Sequence, residues 1–218
     1  MLIQQQIDIF NKIYDVSRET IKKLTFFHDL ILSNQKSKNL IGSGTIEKIW
    51  IRHFADSAKI VKLLTKSHYG SRKRLNICDV GSGAGFPGII CSVLLNDLKI
   101  SHSMTLIESN KKKCEFLKKA TKNIGISCVI INNRAEKISK KFDFVIARAV
   151  APLANLLKNI SELGNRDTIF ILPKGKKWKD EIKESKKIWS FSLNIVKNNN
   201  LLDDSGGVTL EIKRLIRK

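Results

Sequence analysis

Apolar positions recur at helical spacing through the first third of the chain. Ile7, Phe10, Ile13 and Tyr14, then Ile21, Leu24, Phe27, Leu30 and Ile31, describe one or two amphipathic helices between Ile3 and Ile31, with Lys22 and Lys23 on the polar face. The polar stretch Asn34-Gln35-Lys36-Ser37-Lys38-Asn39 breaks this pattern. Thr45 then offers an N-cap for a second helical run through Ile49, Trp50, Phe54, Ala58, Val61 and Leu64. After a loop around Ser67 to Arg74 the period changes. Short apolar runs at Leu75–Val80, Met104–Ile107, Cys128–Ile131, Phe142–Ala147 and Thr168–Leu172 read as strands. Helical stretches lie between them at Pro87–Leu95, Lys111–Ile124 (Asn110 as cap, Gly125 as stop), Pro152–Leu163 and Trp178–Ile188. Such alternation predicts a mostly parallel sheet with crossover helices. Phe191–Val196 and Val208–Ile212, separated by a turn with Asp203, Asp204, Gly206 and Gly207, read as a closing antiparallel hairpin.

The pattern thus predicts an α/β fold. A seven-stranded, mostly parallel sheet ends in an antiparallel hairpin, and an N-terminal helical extension over residues 1–70 packs on a core over residues 71–218. A chain of 218 residues suits one compact domain of this kind. The first thirty residues carry charged and polar positions throughout, and no run of about eighteen apolar residues occurs, so neither a signal peptide nor a membrane span is predicted. A cytoplasmic monomer is the expectation.

Charge narrows the partner. Lys and Arg number 40 against 20 Asp and Glu, a formal net charge of +20, which points to a polyanion such as nucleic acid, although abundant Lys, Asn and Ile also fit an AT-rich coding bias. Cys78, Cys91, Cys114 and Cys128 form no C-x-x-C pair, so neither a metal site nor a disulfide framework is predicted.

The segment Asn76 to Gly88 places a strand, a glycine turn and a helix start in succession, with Gly81, Gly83 and Gly85 leading into Phe86-Pro87-Gly88. Glycines let the backbone approach a ligand, and the helix N-terminus offers unpaired N–H groups. Gly83 to Gly88 satisfies G-x-G-x-x-G, so a dinucleotide competes with S-adenosylmethionine for the site. Asp79 favours the sulfonium donor, because a carboxylate before the first glycine suits a cationic amino acid end and would repel a pyrophosphate. Glu108, ending the second strand, suits the ribose hydroxyls of either cofactor. The alternatives are a helix-capping carboxylate for Asp79 and an exposed strand end for Glu108. Room also matters: a dehydrogenase needs a substrate domain or a second nucleotide-binding half, and only a helix and a hairpin follow the fifth strand.

Asp79-Val80-Gly81-Ser82-Gly83-Ala84-Gly85-Phe86-Pro87-Gly88-Ile89, preceded by Asn39-Leu40, Arg52-His53 and Asp56-Ser57, resembles the glucose-inhibited division protein B family. The resemblance continues through Asn133-Arg134-Ala135-Glu136, Ala147-Arg148-Ala149 and Pro173-Lys174-Gly175. It departs at Gly42-Ser43-Gly44, where a short polar linker is usual, and at Glu108, where Asp is common. The resemblance implies a Rossmann-like class I methyltransferase that moves a methyl group from S-adenosylmethionine to guanine N7 of small-subunit (16S) ribosomal RNA, free or in the 30S particle, releasing S-adenosylhomocysteine. It also implies that Gly81 and Phe86 line the donor, Ala135 and Glu136 meet the adenine, and Arg148 sits near the methyl group.

Guanine N7 has a lone pair and no proton to remove, so its methylation needs orientation more than a strong base. No Pro-Cys pair or Asn-Pro-Pro-Tyr-like run is present, which leaves a ring nitrogen or oxygen as target. Arg148 suits a guanine O6 or a phosphate, with a plain ion pair as the alternative. His53 reads as structural, and Arg52, His53 and Asp56 as a link from helices to sheet. Of the Lys-rich runs, only Lys174 to Trp178 is expected to hold phosphates, with Trp178 stacking on a base. A dinucleotide-dependent oxidoreductase and a non-catalytic RNA-binding protein remain the competing readings.

Overall fold

A computed structural model describes residues 1–68, 73–197 and 206–218. Asp203 and Asp204 of the hairpin turn, and residues 69–72 of the loop before the sheet, lie outside the described residues. The sheet has seven strands in the order β3-β2-β1-β4-β5-β7-β6. They are β1 Leu75–Val80, β2 His102–Ile107, β3 Cys128–Ile131, β4 Phe144–Ala147, β5 Ile169–Lys174, β6 Trp189–Lys197 and β7 Val208–Arg217. β1 to β5 pair in parallel, and β7 pairs antiparallel with both β5 and β6.

The central strands are buried on both faces, which is why they read as continuous apolar runs: Ile77, Cys78, Leu106, Val145, Ile146, Ile171 and Leu172 are all fully covered. One face packs on the N-terminal helices α1 (Ile3–Tyr14), α2 (Arg18–Lys38) and α3 (Asp56–His68), with α4 (Gly88–Asp97) and α5 (Lys111–Asn123); Phe10, Phe27, Trp50 and Phe54 share one apolar cluster with Ile77, Leu106 and Ile146. α6 (Leu153–Ile160) and α7 (Trp178–Ile188) supply the cluster that covers Cys78, Val145 and Phe170 on the other face.

The N-terminal boundaries differ from the periodicity. α2 runs on through the polar stretch to Lys38, because its last turns face solvent and need no apolar repeat. Asn39 ends it in a left-handed conformation (φ 45°), giving its N–H to Gln35 O at 2.9 Å, and the Gln35 side chain accepts from both Leu40 N and Ile41 N at 3.0 Å. Thr45 is not the N-cap of a long helix. It lies inside a 3₁₀ helix, Ser43–Lys48, and its hydroxyl donates to Gly42 O at 2.7 Å. A π-helical turn, Trp50–Ala55, then leads into α3. Asn110 does cap α5, accepting from Lys113 N at 3.2 Å, and Gly125 follows its end with φ +67°.

Candidate active site at the switch point of the sheet

β1 continues outward on one side to β2 and β3 and on the other to β4 and β5, so the strand order reverses between β1 and β4. In an open α/β sheet the crevice at the carboxyl ends of such strands is where ligands bind. The glycine turn follows β1 there, and Arg148 follows β4.

Two glycines in the turn are needed for identifiable reasons. Gly81 has φ +68°, and a Cβ on it would come within 2.7 Å of Val150 Cγ2. Gly88 begins α4 against the Asp79 side chain; a Cβ there would lie 2.5 Å from Leu106 Cδ2 and 2.7 Å from Asp79 Oδ2. Asp79 itself has no exposed surface. Its Oδ2 accepts from Gly88 N at 2.9 Å, while Oδ1 accepts no hydrogen bond from any described group. Burial lifts its pKa to about 7, against the pull of the Gly88 N–H, the nearby Ser82 hydroxyl and the Arg148 charge.

Glu108 ties the turn to the next crossover. Oε2 accepts from Gly83 N at 2.9 Å and Oε1 from Asn110 N at 2.8 Å, so one carboxylate holds the glycine turn and the start of α5 together. It is buried, not an exposed strand end. It lines a cleft of about 110 Å³ with Gly81, Ala135, Glu136, Val150 and Leu156. Ala135 and Glu136 lie on a 3₁₀ turn, Ala135–Lys137, after β3. Val150 also borders a wider pocket of about 530 Å³, lined by Arg148, His53, Asp56, Lys174 and Glu181.

Arg148 is the centre of that pocket. Nη1 donates to Arg52 O at 3.0 Å, Nη2 donates to His53 Nδ1 at 2.6 Å, and Asp56 Oδ2 lies 3.9 Å from Nη1. A guanidinium only donates, so His53 Nδ1 accepts and the ring proton sits on Nε2, which donates to Thr45 Oγ1 at 2.8 Å. Burial and then the charges of Arg148 and Arg52 lower the His53 pKa to about 3, so the ring stays neutral. Burial also pushes the Arg148 pKa below its ordinary value, opposed by the Asp56 carboxylate. The other acids are engaged as well: Asp56 Oδ1 pairs with Lys59 at 2.7 Å, and Glu181 Oε2 takes both Lys174 Nζ at 2.8 Å and Leu153 N at 2.7 Å.

Of the residues singled out by sequence, the structure brings Gly81, Glu108, Ala135 and Glu136 to the narrow cleft and Arg148 to the wider pocket. Asp79, Gly83 and Gly85 shape the turn and line neither cavity. Phe86 does not line either cavity: it is 5% exposed, stacked on His53 (centroids 4.9 Å apart) and packed against Phe27 and Phe54, because the apolar helices offer it more cover than the cleft. Lys174 is likewise turned inward, its ammonium donating to Ala151 O at 2.7 Å and paired with Glu181, so it is not free for a phosphate. Trp178 packs on the apolar cluster beside α6 and α7. Sequence reasoning did not find Val150, Leu156 or Glu181 as site residues; Val150 follows a residue with φ 56°, Ala149, a turn that composition does not announce. Among the described residues no group of His, Cys, Asp or Glu could hold a metal ion.

The fold is that of a Rossmann-like, S-adenosylmethionine-dependent methyltransferase. Solved structures agree on the fold: magnesium protoporphyrin IX methyltransferase from Synechocystis PCC 6803, crystallised with the methyl donor, matches at 15% identity with a TM-score of 0.60, over 86% of this chain and 97% of that one. The family is shown by sequence. Residues 20–205 match the model described as GidB, rRNA small subunit methyltransferase G, and the chain belongs to that family. Proteins named ribosomal RNA small subunit methyltransferase G are similar along nearly the whole length: that of Bartonella tribocorum is 36% identical over 97% of this chain and 94% of its own, and that of Rickettsia prowazekii 38% identical over 93% and 98%.

The neutral state of His53 is directly observable. Its ring proton resonances should stay flat between pH 5 and 8, because its pKa lies at about 3. A titration midpoint near the ordinary histidine value would show that the Arg148 contact is not the one described.

Proposed function

We propose that the chain transfers the methyl group of S-adenosylmethionine to N7 of a guanine in small-subunit (16S) ribosomal RNA, acting as a cytoplasmic monomer on the RNA or on the 30S particle. One observation carries the chemistry. Among the described residues, every base lining the wider pocket is already engaged: His53 is neutral with both ring nitrogens in hydrogen bonds, Asp56 is paired with Lys59, and Glu181 with Lys174. A pocket whose described bases are all engaged suits a nucleophile that has no proton to lose, and guanine N7 is one. Family membership supports the same acceptor.

The residues at the switch point fit the donor. Glu108 has lone pairs to spare for the ribose diol, and Ile107, Ala135 and Leu156 give the narrow cleft apolar walls for an adenine. The unmet acceptor on Asp79 Oδ1 suits an ammonium group or its water at the glycine turn. The bound donor supplies an electrophilic methyl on sulfur for in-line displacement. The chain supplies orientation: Arg148, with two of its N–H groups fixed by Arg52 and His53, keeps the rest for guanine O6, holding N7 in line.

Labelled methyl from S-adenosylmethionine should enter unmodified small-subunit RNA or particles at one guanine, located by N7-specific chain cleavage. Arg148→Ala should lower kcat/KM on the order of a hundredfold while homocysteine-product affinity stays at the wild-type value. Label elsewhere than N7, or none despite donor binding, contradicts the assignment.

The Asp79 contact has its own signature. Its folded pKa of about 7 stands above the ordinary carboxylate value, and a cationic amino group pulls it down, so binding favours the ionised form. Affinity for S-adenosylhomocysteine, measured by calorimetry, should rise from pH 5.5 to about 7.5 and then level. Asp79→Asn should flatten that dependence; a flat wild-type profile contradicts the contact.

A further inference from the structure

The opposite end of the strands carries a second cavity. A groove of about 750 Å³ lies where β4 and β5 begin and β7 ends, with Phe170 and Trp189 as its buried apolar floor. Its rim holds Lys141, Lys158, Arg166, Arg214 and Arg217, all exposed, against the single acid Glu162. Lys141 answers Glu162, donating to its main-chain oxygen at 2.5 Å with the carboxylate at 3.5 Å. Lys158, Arg166, Arg214 and Arg217 form no ion pair with any described residue. Four unanswered cations around one depression repel each other, and nothing in the fold calls for them there.

A second observation points the same way. The pairing of β6 with β7 slips between Ser190↔Ile216 and Ser192↔Lys213, so β7 carries an extra residue there. Arg214 sits in that bulge with φ 53°, a left-handed conformation that L side chains rarely adopt. Bulges bend a strand and re-aim a side chain, and here the re-aimed side chain is a guanidinium on the groove rim.

We infer that this groove is a second docking site for the phosphodiester backbone of the substrate RNA, separate from the site that performs methyl transfer. The inference rests on the proposed RNA substrate. β5 has Phe170 near the groove at one end and Pro173 and Lys174 in the methyl-transfer pocket at the other. Its six residues span about 17 Å at about 3.3 Å per residue, so an RNA bound at both ends crosses the edge of the molecule. Charge complementarity selects the partner: guanidinium groups bind phosphate oxygens bidentately, and the apolar floor leaves room for sugar or base faces without specifying a sequence. The groove then contributes affinity and register, and the switch-point site contributes chemistry.

The test uses the full chain carrying Arg166→Gln, Arg214→Gly and Arg217→Gln together. Glycine suits the left-handed backbone at position 214, and unchanged S-adenosylhomocysteine affinity verifies that the variant is folded. Small-subunit RNA affinity should fall on the order of tenfold near 0.1 M salt, and the slope of log affinity against log salt should shrink by about 2. A charge-matched control, Lys12→Gln, Lys22→Gln and Lys36→Gln on the N-terminal helices, should keep the wild-type affinity and slope. Wild-type binding by the groove variant overturns the inference, as does an equal loss in the control, which would reduce the effect to net charge. A wild-type chain whose RNA binding shows no salt dependence overturns instead the RNA reading on which the groove depends.

Discussion

Arg148 stands at the end of β4 with its side chain 16% exposed, and a cation that deep requires acceptors. All of them come from the N-terminal third. The π-helical turn Trp50–Ala55 supplies the Arg52 carbonyl and the His53 ring, and α3 opens with Asp56. Meeting this one guanidinium therefore ties the helical extension to the sheet, alongside the apolar cluster they share. The aromatic cluster of Phe27, Trp50, Phe54 and Phe86 packs around the same junction, with Phe86 under both His53 and Arg148. The extension is thus part of the wall of the wider pocket, which Thr45, Arg52, His53 and Asp56 line beside Arg148.

A parallel economy operates at the glycine turn. Asp79 and Glu108 end neighbouring strands, and each takes a main-chain N–H from the glycine turn or the helix it leads into. These bonds set the turn before any ligand arrives. Preorganised groups lose little freedom on binding, which favours a reaction whose main requirement is alignment.

Much of this was legible in the sequence. The five core strands, the closing hairpin, the Asn110 cap and the Gly125 stop emerge from apolar runs and turn chemistry, because those signals are local. So do the places of the glycine turn and of Glu108, which follow directly after β1 and β2. Other features were not. Phe86 sits in a glycine-rich motif that suggests ligand contact, yet its partners, Phe27 and Phe54, are distant in sequence. Lys174 looks like a free phosphate ligand until Glu181, a helix later, is seen to pair with it. The 3₁₀ and π-helical turns between α2 and α3 keep the apolar spacing of an α-helix closely enough to hide in it. Arg214 shows in the sequence only as part of the short basic run Lys213-Arg214, which says nothing of the left-handed backbone it takes within β7.

The central claim is that the crevice between β1 and β4 binds the methyl donor and faces its reactive end toward Arg148. A crystal structure of the chain with S-adenosylhomocysteine tests it most directly. The account predicts the ribose hydroxyls on Glu108, the adenine against Ala135 and Leu156, the amino group at the glycine turn above Asp79, and the sulfur at the Val150 boundary opening toward Arg148. A ligand seated elsewhere, or one whose sulfur faces away from the Arg148 pocket, would contradict it.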